Sequence, residues 1–270
     1  MPSTPKISVI MPVGKLDHHL DATLDSLDAQ TFRDFELIAV CDESLYEPLR
    51  AVVDHRRRNF ARTVIPARLG GFAFALNLGI AHSTAEFIAR WDADDLCDSN
   101  RFERQLQEFA ADPHLGVVGT RVTLIDADGV PIRDRRFPYY RDDAQIRRAL
   151  RYRQALLHSS LMFRARILFE NNGYEYGHTS EDHELFLRIA RNKTTKFKNL
   201  PDVVSYYRLH PDQRISRAVQ YHQFCDISGF MMTEFLRTGH PLHLVGSLAV
   251  FPLAREFRRI VRRVRAGFRR

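Results

Sequence analysis

An α/β fold is predicted by three features of this 270-residue chain. Apolar runs of strand length alternate with amphipathic stretches of helical period. The connections between them are short, and the first runs are apolar throughout, as strands covered on both faces must be. Ile7–Val13 (ISVIMPV) is the first such run, ended with the help of Pro12. Leu16, Leu20, Leu24 and Leu27 follow at near-helical spacing among Asp and His, which predicts an amphipathic helix. Residues 35–41 (FELIAVC) give the second strand, 46–57 a second helix and 62–65 a short third strand. Gly70-Gly71 opens an Ala/Leu-rich helix running to Ala81, and 87–91 (FIARW) is the fourth strand. This alternation implies a Rossmann-like, mostly parallel sheet with helices on both faces.

Beyond residue 100, a helix over 101–111 should bury Phe102, Leu106 and Phe109. Residues 117–125 and 130–132 flank Asp128-Gly129, a hairpin signal because Asp-Gly accepts the positive φ angles of a tight turn. Residues 133–153 are rich in Arg and Tyr, only weakly periodic, and receive no element. A strand over 160–163, a helix over Glu181–Arg191 and a last strand over 203–209 complete the body, and after Pro211 the pattern is helical to the end. With no internal repeat and no low-complexity linker, the chain reads as one α/β body carrying a helical, basic appendage.

Apolar residues make up 44% and charged residues 27%, which excludes disordered and collagen-like classes. Three widely spaced cysteines (Cys41, Cys97, Cys225) with no C-x-x-C pair argue against a zinc cluster or disulfide framework and for a reducing compartment. No basic-plus-apolar leader precedes Ile7, and no apolar run reaches the roughly 20 residues of a spanning helix. The net charge of +7 is local. Residues 255–270 hold eight Arg and one Glu, which leaves 32 basic and 32 acidic residues in 1–254.

In a parallel α/β sheet, ligands bind beyond the carboxyl ends of the strands. Asp42 closes the second strand and Asp92-Ala93-Asp94-Asp95 the fourth. Three carboxylates within four residues repel one another, and a hard divalent cation sharing its shell with substrate phosphates would offset that repulsion. The competing reading makes Asp94 or Asp95 the N-cap of the helix that follows.

Several segments together carry a resemblance. They are Ile7–Val13 with Leu27 and Gln30-Thr31-Phe32, Phe35–Asp42 (FELIAVCD), residues 71–80 (GFAFALNLGI), 87–95 (FIARWDADD) and 101–105 (RFERQ). Gly173-Tyr174, residues 181–188 (EDHELFLR) and 207–210 (YRLH) complete the set. In this order and spacing the chain resembles the family 2 glycosyltransferases of the GT-A fold, over roughly residues 7–216. The resemblance implies transfer of a sugar from a nucleotide-diphosphate donor, with inversion, using Mn²⁺ or Mg²⁺. It further implies a nucleotide-binding half over about 1–100 and an acceptor half over about 101–216, followed by a helical tail over 217–270.

By the same resemblance, Pro12 and Val13 meet the nucleotide base and Asp42 reads the uracil or ribose, which makes a UDP-sugar the expected donor. Asn77 and Arg90 line the donor pocket. Asp92 and Asp94 match the D-x-D motif, with Asp94 the more direct metal ligand, and His210 approaches the metal or diphosphate. Asp182 matches the catalytic base. Each residue has a plainer reading. Glu181-Asp182 also suits the acidic first turn of a helix, His210 a surface turn, and Asn77 packing within its helix. Arg68 suits solvation as well as phosphate pairing, and Cys41 and Cys97 suit small buried packing positions. Two positions depart from the family. Gly14-Lys15 stands where Tyr-Asn is usual, removing an aromatic that stacks on the base, and Cys41-Asp42-Glu43-Ser44 replaces Asp-Asp-Gly-Ser.

Phe257, Ile260, Val261, Val264 and Phe268 form one apolar stripe on an otherwise Arg-rich helix. That pattern suits an anionic membrane surface, and with it a cytoplasmic, peripheral location on the inner face and a saccharide or lipid-linked saccharide acceptor. Docking of the stripe on the body is the alternative, and a neutral body gives nucleic acid no broad basic face. The leading function is thus a hexose-transferring enzyme of surface polysaccharide or glycolipid synthesis. The alternatives are a catalytically silent, membrane-tethered module of the same fold and a nucleotidyltransferase.

Overall fold

The structure is a computed structural model that describes residues 4–55, 60–68, 70–133, 136–176, 179–209 and 217–249. Eight strands form one sheet: β1 (Ile7–Val13), β2 (Phe35–Asp42), β3 (Ala61–Ala67), β4 (Phe87–Arg90), β5 (Leu96–Cys97), β6 (Leu115–Ile125), β7 (Met162–Arg164) and β8 (Lys196–Arg208). Their order across the sheet is β3-β2-β1-β4-β7-β6-β8-β5. Strands β1 to β4 are mutually parallel where they pair, as are β6 and β8, while β7 runs antiparallel to β4 and β6, and β5 antiparallel to β8. This is a mixed α/β molecule with a mostly parallel sheet, as the sequence predicts.

The helices are α1 (Leu20–Asp28), α2 (Tyr46–His55), α3 (Phe72–His82), α4 (Arg101–Ala111), α5 (Asp143–Leu150), α6 (Ala165–Glu170), α7 (Glu181–Arg191), α8 (Arg217–Thr238) and α9 (Leu242–Ala249). All seven residues of β1 are buried, because alternate side chains feed two cores. Ile7, Val9, Met11 and Val13 pack with Leu20, Leu24 and Leu27 of α1 and Phe102 and Phe109 of α4 on one face. Ile10 packs with Leu76 and Ile80 of α3, Leu185 and Phe186 of α7 and Met231 of α8 on the other.

Four sequence expectations shift. The third strand is longer than 62–65, and the last strand starts at Lys196, far ahead of Val203. Pro201 hid that start, and it falls where the β6–β8 register slips. The Arg-rich stretch contains α5, capped by Asp142, whose side chain accepts from the Gln145 N–H at 2.9 Å. Residues 158–160 form a 3-10 turn rather than strand, and β7 begins at Met162. The Asp128-Gly129 hairpin forms, with Gly129 at φ +84 and a single bridge from Ile125 to Pro131.

The two helices that the sequence reading placed in a tail beyond residue 216 pack on the body. Met231 is fully buried, Glu234 pairs with Arg191 at 2.8 Å, and Asp226 accepts from the Thr179 N–H at 3.1 Å. Among the described residues no helix is long and apolar enough to cross a membrane. The basic stretch 255–270 lies outside the described residues.

Candidate functional site

Register in the parallel half brings the predicted groups to one edge of the sheet. Pro12 and Val13 pair with Val40 and Cys41, so the ends of β1 and β2 are level, with Asp42 one residue further. Ile10 pairs with Arg90, and the Trp91 N–H donates to the Ile10 carbonyl at 3.2 Å. The chain proceeds from β1 to β2 and β3 on one side and returns as β4 on the other, so the crevice opens at this reversal. Asp42 lies exposed at that edge. Its Oδ1 accepts from the hydroxyl and backbone N–H of Ser44, at 2.7 and 2.9 Å, which holds its carboxyl below the ordinary range.

The D-x-D-D turn divides its carboxylates by burial. Asp95 is 2% exposed and accepts from the Ser159 hydroxyl at 2.5 Å and the Arg208 N–H at 3.0 Å. Burial, then the charges of Asp92 and Asp94, push its pKa well up. It braces the turn. Neither Asp94 nor Asp95 caps a helix, since α4 has Asn100 at its N-cap. Asp92 and Asp94 stay partly exposed, and Asp92 accepts from Arg90 Nη2 at 2.5 Å through Oδ1. Arg90 is 2% exposed, donates also to the Trp91 carbonyl, and stacks over Phe72 with its charge 5.1 Å from the ring centre.

Asp182 sits in the first turn of α7 and still faces a cavity, so the helix-start reading and the site reading describe the same residue. That cavity, about 310 Å³, is lined by Asp182 together with Arg90, Asp92, Gln154, His158 and Tyr207. The two carboxylates therefore enter one space from β4 and α7. Burial, then the charge of Glu181, push the Asp182 pKa up to about 7. Gln154 sets its orientation: the amide N–H donates to Asp182 Oδ2, while Gln154 Oε1 lies 2.8 Å from His183 Nδ1. Burial holds the His183 pKa down to about 4, so that ring is neutral and serves as the donor.

Asn77 is engaged elsewhere. Its amide brackets the backbone of Tyr174, donating to the carbonyl at 2.8 Å and accepting from the N–H at 2.9 Å, and it does not line the cavity. Gly173 makes this possible: its φ is +63, and a Cβ there would fall 2.3 Å from Asn77 Oδ1. Tyr174 in turn places its hydroxyl 2.5 Å from His158 Nε2 beneath the cavity. Cys41 and Cys97 are packing residues. Burial raises both thiol pKa values, that of Cys97 to about 12. Exposed Arg68 faces Glu43 at 3.5 Å. His210 lies outside the described residues.

Gln154, His158 and Tyr207 are cavity residues to which the sequence reading gave no role. Gln154 and His158 come from aperiodic chain with no local signal, whereas Tyr207 lay inside the 207–210 motif. Other motif residues are braces. Arg101 donates to the carbonyls of Arg90 and Leu161 at 3.0 and 3.2 Å, Gln105 to those of Val118 and Ser160 at 2.6 and 3.0 Å, and Gln30 to that of Asp98 at 2.9 Å. Arg208 donates to the carbonyls of Asp94, Asp126 and Ala127.

Asp92 and Asp94 supply hard oxygen donors, and Asp92 Oδ2 has no hydrogen-bond partner among the described residues. That set fits Mn²⁺ or Mg²⁺, which take carboxylates and leave the rest of the shell to water and phosphate. Asp17, His18 and His19, just before α1, form a separate group whose ligand atoms lie within 4.8 Å of one another. Its two imidazoles suit softer metals than those two ions.

Comparison with known proteins agrees with this architecture. Residues 8–209 match the sequence model of glycosyl transferase family 2. The O-antigen biosynthesis glycosyltransferase WbnJ of Escherichia coli is 29% identical over 233 residues, covering 86% of this chain and 89% of its own length. The amylovoran biosynthesis glycosyltransferase AmsE of Erwinia amylovora is 30% identical over 195 residues, 72% of each chain. Among solved structures, S. aureus TarS 1–349 in complex with UDP-GlcNAc superposes with a TM-score of 0.67 at 18% identity, over 85% of this chain and 66% of that one. The mannosyltransferase PcManGT from Pyrobaculum calidifontis, in complex with GDP-Man and Mn²⁺, gives 0.63 at 18% identity, over 94% and 76%. At that identity the structural likeness establishes the GT-A fold.

Proposed function

The chain belongs to glycosyl transferase family 2 and is a glycosyltransferase, and from that premise we propose that it moves a hexose, with inversion, from a UDP-sugar to a saccharide or lipid-linked saccharide acceptor during assembly of a surface polysaccharide or glycolipid. The polysaccharide products named for two relatives support the pathway class. The observation that carries the chemistry is the shared cavity: Asp92 and Asp182 line it from different elements, and Asp182 has a pKa near neutrality.

In this reading Asp182 removes the proton of the acceptor hydroxyl as that oxygen attacks the anomeric carbon. A base with a pKa near the working pH is matched to that task. Asp92 and Asp94 would hold Mn²⁺ or Mg²⁺, which when bound neutralises charge growing on the departing diphosphate. Arg90 orients Asp92 by donating to its Oδ1. Gln154, anchored on neutral His183, holds Asp182 toward the cavity. A single displacement inverts the anomeric centre. In this reading the nucleoside rests at the sheet edge where β1 ends at Val13 and β2 at exposed Asp42.

Nucleotide binding tests this reading directly. Ligand that binds only the folded state raises the melting temperature, by the equivalent of about 2.7 kcal/mol at a hundredfold excess over Kd. UDP with Mn²⁺ is expected to raise Tm by several degrees, GDP by less, and EDTA should cancel the effect. An unchanged Tm with every nucleotide tried would remove the proposal.

The Arg-rich stretch 255–270 supports contact with an anionic membrane, where lipid-linked acceptors reside. Flotation with vesicles containing anionic lipid is expected to recover the full chain and not a chain ending at Leu253. Equal recovery of the two would assign the stretch another role.

A further inference from the structure

A second cavity of about 620 Å³ lies beside the one just described and shares Phe137 and Leu157 with it. Its wall combines Arg121 of β6 with Arg133, Arg136, Phe137 and Tyr139 of the segment that follows the hairpin, and among the described residues no Asp or Glu lines it. Arg121, Arg133 and Arg136 are exposed, and none forms an ion pair among the described residues. This sets them apart from Arg90, Arg147, Arg188 and Arg191, each of which has a carboxylate within 3 Å. Like charges gathered in a groove focus a positive potential, and guanidinium groups pair with phosphate or carboxylate in forked geometry. Beside them, Phe137 and Tyr139 offer ring surface of the kind that packs on a sugar, and Tyr139 is fixed by donating to the Asn199 carbonyl at 3.0 Å.

We propose that this groove is an acceptor subsite, in which Arg121, Arg133 and Arg136 hold an anionic group of the acceptor while its nucleophilic hydroxyl extends past Phe137 and Leu157 to Asp182. The proposal rests on the transferase reading above and narrows the acceptor to a saccharide bearing a phosphate or carboxylate. Two sources share that chemistry, a lipid diphosphate and an acidic sugar. Adjacency of the two cavities, which share Phe137 and Leu157, is the central support, since an anion-binding patch remote from Asp182 would bear no relation to transfer.

Calorimetric titration in EDTA, where no metal can hold phosphate at the D-x-D turn, separates these possibilities. Three probes are used: a short-chain prenyl-diphosphate-linked N-acetylglucosamine, a glucuronate-containing disaccharide, and neutral octyl N-acetylglucosaminide. At least one anionic probe is expected to bind about tenfold or more tightly than the neutral one. The R121Q/R133Q/R136Q chain should lose that preference, while R121K/R133K/R136K keeps most of it. Preference for the diphosphate probe identifies a lipid-linked acceptor, and preference for the glucuronate an acidic sugar. Equal affinity for all three probes, no binding of either anionic probe, or undiminished preference in the glutamine variant would overturn the proposal. Mn²⁺-dependent UDP binding by the unaltered chain is measured alongside, so failure of the transferase reading is seen separately from failure of the subsite.

Discussion

Asp182→Asn should abolish transfer while making the protein more stable at alkaline pH. The loss expected in kcat is about 10²- to 10⁴-fold, the range for removing a positioned general base, with donor affinity little changed. The stability gain comes from the same burial that tunes the base. Asp182 has its pKa raised to about 7 by burial and by Glu181. An acid whose folded-state pKa lies above its unfolded value folds most favourably with its proton on. That contribution is complete below about pH 4 and is lost as pH rises through about 7. Asparagine carries no charge to bury, so above pH 7 the variant should melt a few degrees higher than the native chain, and below pH 4 the two should converge. The transfer rate of the native enzyme should rise with pH through about 7. A variant that keeps activity, or native transfer that is flat from pH 5 to 8, would dismiss Asp182 as the base.

Asp92→Ala is expected to combine the loss of a metal ligand with the loss of the counter-ion of buried Arg90. Activity should fall about 10³-fold, and Mn²⁺ should no longer stabilise the protein in the presence of UDP. Arg90 would be left 2% exposed without its ion-pair partner; removing one partner of a fully buried pair typically costs about 3–5 kcal/mol, and the partial exposure of Asp92 sets the expected cost below that range. The double variant R90M/D92A tests the argument. Replacing both members with uncharged side chains is expected to restore most of the lost stability and none of the activity, since breaking a buried pair costs far more than deleting it. If D92A melts like the native chain, the Arg90–Asp92 pair does not support the fold. If it retains Mn²⁺-dependent nucleotide binding, the D-x-D assignment fails.

Several features of the fold are legible in the chain itself. Burial of β1, of Leu37–Cys41 in β2 and of β4 shows in the sequence as runs dominated by apolar residues, and helices α1, α4 and α7 each carry a periodic apolar face. Helix α5 was missed because its buried positions, Ile146, Ala149 and Leu150, lie among arginines. A signal was nevertheless present: Asp142 caps Gln145, and Gln145 Oε1 accepts in return from the Arg141 N–H at 2.9 Å, a pattern related to the capping box. The early part of β8 was hidden because Pro201 breaks the strand signature, although a register slip accommodates it.

At the site, the sequence by itself determined the local chemistry: three acids at the end of one strand, an acidic pair at the start of a helix, and the family in which such groups recur. Tertiary structure decided the surroundings of each acid. Identical side chains in Asp92, Asp94 and Asp95 differ because Ser159 and Arg208, drawn from distant segments, enclose only the last. Asn77 turned from a pocket toward Tyr174, ninety-seven residues away, and Gln154 came to hold Asp182 from chain with no pattern at all. Burial and charge are sums over neighbours brought together by the fold. A run of residues can therefore name a carboxylate, whereas its ionisation and orientation are set by residues it never adjoins in sequence.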